Sequence, residues 1–320
     1  ESGLIVALLS LYAKQKFRTV PFFQYSMELI VIFINSCYDI ADKTRRNFML
    51  HEKKLFLFDI DGTIAVGNTL YEGSRELLAY IERIGGRAYY ITNNSTKSGR
   101  DYVEKFETCF HFKTDEEQFI TSGFMTIRFL KKHFTGQKIF VMGTASFIRE
   151  LRNNGLTVTQ DAEPGIACVV AAYDSELTYD KLTAVCQALS SSEAPFYATN
   201  PDLCCPVDFG FVPDCGAMCK MIEYATGKTP VYLGKPSEEV VRYCLEVSGF
   251  SKEQTIVIGD RLYTDIACGI RAGVDTCVVF TGEASPGDLA DTNFPPTYRY
   301  NAIKDFYEAL INFDAAKTTD

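Results

Sequence analysis

From Lys54 onward, short apolar runs alternate with amphipathic stretches of helical length, and this alternation restricts the fold more than any other feature. KLFLFDI is a run of strand length, and SRELLAYIERIGG has helical spacing and stops on Gly-Gly. RAYYITNNS reads as the next strand and SGRDYVEKFETC as the next helix. Farther along, PVYLGKP, QTIVIGD and TCVVFTG read as strands, separated by the helical segments EEVVRYCLEVSG and DIACGIRAG. Strands alternating with helices build βαβ units, so an α/β fold with a doubly wound parallel sheet is expected. Ligands of such sheets bind at the carboxyl ends of the strands.

Those ends are polar. LFLF runs into Asp59-Ile60-Asp61-Gly62-Thr63, AYYI into Thr92-Asn93-Asn94, VYLG into Lys235-Pro236, and TIVIG into Asp260, with Asp265 shortly after. A strand–helix–strand unit takes roughly 30 residues, and the intervals Asp59–Thr92 and Lys235–Asp260 each fit one. The interval from Thr92 to Lys235 is several times longer and alternates on its own account. QKIFVMG, GIACVVAAY and PFYATNPD read as its strands; ASFIRELRNNG, TYDKLTAVCQALS and GAMCKMIEYATG read as its helices. A smaller α/β domain over residues 121–229 is therefore expected between two core segments, 49–120 and 230–320.

With 320 residues and 47% hydrophobic content, the chain can bury one large core or two moderate ones. A net charge of -9 argues against a nucleic-acid backbone or an anionic membrane surface as the main partner. A phosphorylated small molecule stays open, because local cations or Mg²⁺ override global charge. The 11 cysteines are irregularly spaced, form no CxxC and often sit inside apolar runs, which reads as reduced thiols of a cytoplasmic protein. Cys215 and Cys219 share a helix face, but zinc needs two further ligands, and none of the three histidines is near them in sequence. The aromatic residues, 18 Tyr and 24 Phe, read as packing. GLIVALLSLY and MELIVIFINSCYDI fall short of the ~18–20 apolar residues of a membrane span. Residues 1–48 read as an appendage without chemistry, with the domain starting near Met49.

Two carboxylates at i and i+2 on an extended segment face one site and repel unless a cation sits between them. One can attack while the other handles a proton, which makes Asp59 the candidate nucleophile and Asp61 the candidate acid/base. Gly62 turns the chain so that Asp61 can swing toward a substrate. A carboxylate attacking a phosphate dianion needs positive charge. Mg²⁺ held by Asp59, the carbonyl of Asp61 and Asp260 would supply it, and Lys235 adds a fixed cation. Thr92 and the backbone N–H groups around it can hold phosphoryl oxygens. Taken alone, each element has a plainer reading as a turn or a helix cap. Four strand ends in order, each with the residue type that phosphoryl transfer needs, make the joint case.

FDIDGT, ITNN, GKP and GDRLYTDI, in that order, resemble the four motifs of the haloacid dehalogenase superfamily. ITNNSTKS, ATNPD, PDCGAMCKMIE before YLGKPS, and GDRLYTDIACGIRAG are similar to its subfamily IIA, the NagD/p-nitrophenylphosphatase branch. The resemblance spans about residues 50–285. It implies a Rossmann-like core and a mobile α/β cap of the C2 type inserted between the second and third motifs. It further implies Mg²⁺-dependent hydrolysis of phosphate monoesters through an aspartyl-phosphate. Carried over by position, Asp59 is the nucleophile and Asp61 protonates the leaving group and then activates water. Thr92, Asn93 and Asn94, with Gly62, bind phosphate. Lys235 neutralises charge, Asp260 ligates Mg²⁺ and Asp265 supports that site from the second shell. A cap loop with Asn200, Pro201 and Asp202 helps to choose the substrate, and the cap is where relatives form homodimers. Ile64-Ala65 after DGT departs from the Leu-Tyr or Ile-Tyr common in relatives. The acid at Asp61 favours a phosphatase over a dehalogenase. The substrates implied are small metabolites such as nucleotides or sugar phosphates. The alternatives are a phosphomutase or phosphotransferase using the same aspartyl-phosphate, and a non-enzymatic Mg²⁺-binding phosphoacceptor module.

Overall fold

A computed structural model describes residues 49–95, 97–207 and 209–317, and the compact unit His51–Asp320 carries every element discussed below. Residues 1–48, the expected appendage, lie outside the described residues. In chain order the first segment contributes β1 (Leu55–Phe58), a small hairpin of β2 (Ala65–Val66) and β3 (Thr69–Leu70), β4 (Arg87–Thr92) and β5 (Phe119–Thr121). The middle segment contributes β6 (Lys138–Met142), β7 (Thr157–Thr159), β8 (Ile166–Ala171), β9 (Phe196–Ala198), the strands β10 (Cys204–Val207) and β11 (Gly210–Pro213), and β12 (Val231–Tyr232). The last segment contributes β13 (Thr255–Gly259), β14 (Asp275–Val279) and β15 (Tyr298–Tyr300).

The larger sheet has the order β15-β14-β13-β1-β4-β5, and every neighbouring pair is parallel. The chain starts in the middle at β1, winds outward through β4 and β5, and later winds the other way through β13, β14 and β15. The winding reverses at β1, so the crevice at its carboxyl end is the place where such a sheet takes a ligand. All four residues of β1 are fully buried, which explains why its sequence is a continuous apolar run rather than an alternating one. Leu55, Leu57, Ile91, Val257 and Cys268 share one core cluster of this sheet. Each such side chain contributes about 1.5–3 kcal/mol by leaving water.

The smaller sheet, order β12-β9-β8-β6-β7, is also parallel throughout. Its helices Tyr179–Ser190 and Cys215–Thr226 bury Val185, Leu189, Met218 and Ile222 against Phe140, Val169 and Phe196. The sequence pattern assigned VYLG to the larger sheet. The structure corrects this: Val231 and Tyr232 pair with Tyr197 and Ala198 at the edge of the smaller sheet, and the chain then steps through Leu233–Gly234 to Lys235. A two-residue strand carries no periodicity that could tell the two sheets apart.

The helix Ser122–His133 joins the two halves. Thr121 caps its N-terminus by accepting from Phe124 N–H, Met125 packs into the larger sheet's cluster, and Ile127 and Leu130 pack into a cluster of the smaller one. The helix Gly99–Phe110 starts at a capping box between Ser98 and Asp101 and buries Tyr102, Phe106 and Phe110 at i, i+4 and i+8. Among the described residues no helix is long and apolar enough to cross a membrane.

Candidate active site

β1 ends at Phe58, so Asp59 is the first residue beyond the regular strand, and its N–H still donates to Ile258 O at 2.9 Å. The chain then folds back tightly. The carbonyl of Ile60 accepts from the N–H groups of Thr63, Ile64 and Ala65 at 3.3, 3.1 and 3.0 Å, and Gly62 N–H donates to Ala65 O at 2.9 Å. Gly62 sits at φ +93, where a side chain would be strained, and a Cβ there would lie 2.7 Å from Asp260 Oδ2. This turn leaves Asp61 on the surface, with a side chain 44% exposed, while Asp59 is 14% exposed. Lys105 Nζ stands 3.6 Å from Asp61 Oδ1.

Lys235 arrives from the smaller sheet and is buried. Its Nζ donates to Asp59 Oδ1 at 2.5 Å and to Ile91 O at 2.9 Å, and it pairs with Asp265 Oδ1 at 2.6 Å. Asn93 Nδ2 holds the lysine's own carbonyl at 2.9 Å, and Gly234 N–H donates to Thr199 O at 2.8 Å. The Asn93 side chain thus faces the Lys235 backbone. Thr92 ends β4, buried, with its Oγ1 accepting from Asn94 N–H at 3.2 Å; Asn94 is half-buried beside it.

Asp260 follows β13. Its Oδ2 accepts from Glu283 N–H at 2.8 Å and its Oδ1 from Thr63 Oγ1 at 3.4 Å. The next turn, Leu262–Ile266, is π-helical and turns Asp265 back under β13, where its Oδ2 accepts from Arg261 N–H at 3.0 Å. A Cβ on Gly259 would meet the Asp265 carboxylate at 2.3 Å, so glycine is required there. Oxygen atoms of Asp59, Asp260 and Asp265 lie within 4.8 Å of one another.

Burial pushes the Asp59 carboxyl well above the usual range; Lys235 pulls it back, and Asp265 and Asp260 add to the rise. Burial, then Asp265, push Asp260 up to about 6. Burial works against the charge of Lys235, but Asp265 and Asp59 outweigh it and raise its pKa. Three carboxylates thus share one ammonium, a donor set of hard oxygens with charge left over. That set fits Mg²⁺: Asp59 and Asp260 would ligate through lone pairs their hydrogen bonds leave over, while both oxygens of Asp265 are committed to Lys235 and the Arg261 backbone.

The smaller sheet's loop that carries Asn200 and Asp202 is held by buried bonds. Asn200 is fully buried; its Nδ2 donates to Asp202 Oδ2 at 3.0 Å and Asp214 Oδ1 at 3.1 Å, and its Oδ1 accepts from Thr199 Oγ1 at 2.8 Å. Asp202 is also buried, with its Oδ1 accepting from Arg261 Nη1 at 3.1 Å. Sequence pattern does not single out Arg261 or Lys105. Arg261 stood inside the GDRLYTDI motif, yet nothing in a strand–helix pattern indicates a partner in the other sheet.

Two family models match, one described as haloacid dehalogenase-like hydrolase over residues 56–157 and one as HAD-like hydrolase over residues 232–306. The acid sugar phosphatase of Staphylococcus aureus is 31% identical over 265 residues, covering 83% of this chain and 100% of that protein. The chain belongs to the haloacid dehalogenase-like hydrolases, in their NagD-like branch. Among solved relatives, the 4-nitrophenylphosphatase of Thermotoga maritima is 33% identical and superimposes with a TM-score of 0.75, covering 82% of this chain and 99% of that one. NagD from E. coli is 31% identical with a TM-score of 0.71, covering 79% and 98%. The chain is a phosphatase of this NagD-like kind, with a parallel core sheet and an inserted cap.

Proposed function

We propose that this phosphatase hydrolyses small phosphate monoesters, such as sugar phosphates or nucleotides, through an aspartyl-phosphate on Asp59. The carrying observation is the cluster at the end of β1, where Asp59, Asp260, Asp265 and Lys235 converge. Mg²⁺ bound by Asp59, the Asp61 carbonyl and Asp260 would supply the positive charge that lets an anionic carboxylate approach a phosphate dianion. The rest falls to the chain itself. Lys235 fixes the rotamer of Asp59 and neutralises charge beside it. Thr92, with backbone N–H groups at the β4 end and near Gly62, holds the phosphoryl oxygens. Asp59 attacks phosphorus, and the P–O bond to the leaving alcohol breaks as Asp61 gives that oxygen a proton. Asp61, now a carboxylate, takes a proton from the water that attacks the phosphoaspartate and returns phosphate and free Asp59.

Asn93 keeps Lys235 in place, and Asn200 and Asp202 shape the cap loop from inside. Buried cysteines such as Cys168, Cys244 and Cys277 suit a reducing cytoplasm. Exposed apolar side chains on the cap, Phe209, Phe211 and Tyr224 among them, support a homodimer formed there, which light scattering would show as twice the chain mass. The deciding assay follows both products from a panel of sugar and nucleoside phosphates. Equal amounts of alcohol and inorganic phosphate are expected. Phosphate that appears on an acceptor alcohol instead of in solution would overturn the hydrolase reading.

A further inference from the structure

We propose that Arg261 is a positioning residue that clamps the cap onto the core, tying the cap's substrate loop to the metal-binding carboxylates. Arg261 Nη1 and Asp202 Oδ1 meet at 3.1 Å although the residues are 59 apart in sequence and belong to loops of different sheets. Each end is anchored. On the cap side, Asp202 is held by Asn200, Asn200 is held by Asp214, and the Asp202 carbonyl accepts from Gly216 N–H at 2.8 Å. A Cβ on Gly216 would meet the carbonyl of Pro201 at an impossible distance, so this loop and the helix Cys215–Thr226 pack without slack. On the core side, Arg261 Nε pairs with Glu283 Oε2 at 2.8 Å, Glu283 N–H donates to Asp260, and Arg261 N–H donates to Asp265.

A continuous chain of bonds therefore runs from the cap helix through Asp202 and Arg261 to both Asp260 and Asp265. The guanidinium reaches Asp202 through Nη1 and Glu283 through Nε, donors held apart in one rigid plane, whereas a lysine would offer a single compact ammonium. Asp202 is buried, so losing its partner would leave a desolvated charge, a strong incentive for the cap to stay docked. The strand β10 starts two residues beyond Asp202, so the clamp fixes where the exposed hairpin β10–β11 lies. Arg261 accordingly sets how the cap loop lies against the core and takes no part in the chemical step.

The kinetic part of this inference rests on the phosphatase reading; the exchange part does not. Hydrogen exchange would be followed in the full chain for wild type, Arg261→Met, Arg261→Lys and Asp202→Ala. Exchange of the hairpin Cys204–Pro213 is expected to quicken about tenfold or more in Arg261→Met and Asp202→Ala, with β6 and β8 unchanged and partial recovery in Arg261→Lys. KM for a hexose phosphate should rise about tenfold, while kcat for p-nitrophenyl phosphate stays within about threefold. The double variant should be no worse than either single one. Hairpin exchange unchanged in folded variants, or fully additive effects, would overturn the clamp. If Arg261→Met does not fold, Asp202→Ala decides, because it leaves Arg261 on Glu283. A wild type inert toward both substrates would sink the phosphatase reading, and the exchange result would still judge the clamp.

Discussion

Replacing Asp260 with asparagine removes a metal ligand, and it should nonetheless make the metal-free protein more stable near neutral pH. Asp260 is buried, with its carboxyl raised from 3.8 to about 6 by burial and by Asp265. Between those values the folded state keeps a proton that the unfolded chain gives up. Stability therefore falls as pH climbs from about 4 to about 6 and stays lower above. At about 1.4 kcal/mol per pH unit, this carboxylate destabilises the metal-free fold by about 3 kcal/mol at neutral pH. Asparagine has the same shape, which matters because a Cβ on Gly282 would lie 2.0 Å from Asp260 Oδ2 and the packing admits nothing larger. Its oxygen can accept from Glu283 N–H and its amide can donate to Thr63 Oγ1, so the hydrogen bonds survive. In EDTA at about pH 7.5, Asp260→Asn should melt roughly 4–6 °C above wild type, with the gap closing near pH 4. Mg²⁺ at about 100 times its Kd should return about 2.7 kcal/mol to wild type and little to the variant, which should be inactive. A variant less stable than wild type in EDTA, or a wild type indifferent to Mg²⁺, would refute the reasoning.

Three other substitutions probe separate parts of the site. Lys235→Met strands Asp59 and Asp265 without their ammonium and should lower stability by about 3–5 kcal/mol at neutral pH; denaturant midpoints should show the deficit shrinking as acid protonates the carboxylates. Gly62→Ala forces a Cβ to 2.7 Å from Asp260 Oδ2 at φ +93, so calorimetry should show Mg²⁺ affinity down by about tenfold or more. Asp61→Asn alters a side chain 44% exposed and should shift stability by less than about 0.5 kcal/mol. Its turnover of a sugar phosphate should nevertheless fall by about 10²–10⁴, and by less for p-nitrophenyl phosphate, whose leaving group needs little protonation.

The sequence pattern located the active edge because strand ends are a local property. An apolar run, a polar residue and a helical segment are enough to place Asp59, Thr92 and Asp260 at the carboxyl side of a parallel sheet. Lys235 was legible as a site residue, but the strand before it was not, because Val231–Tyr232 is too short to show which sheet it joins. β5 and the strands β10 and β11 escaped for the same reason. What pattern cannot supply is pairing across the chain. Asp202 reads from sequence as a group for the substrate, and only the fold shows that its carboxylate also accepts from Asn200 and Arg261. Asn93 reads as a phosphate ligand at the end of β4, and pattern gives no sign that its side-chain amide also donates to the Lys235 carbonyl.

The most direct test of the nucleophile is p-nitrophenyl phosphate hydrolysis by wild type and Asp59→Asn, each with Mg²⁺ and with EDTA. Asparagine preserves the shape at the end of β1 and cannot form the phosphoaspartate. Turnover by wild type only with Mg²⁺, and a loss of several orders of magnitude in Asp59→Asn, is the predicted result. A variant as active as wild type would remove Asp59 from the chemistry and contradict the account.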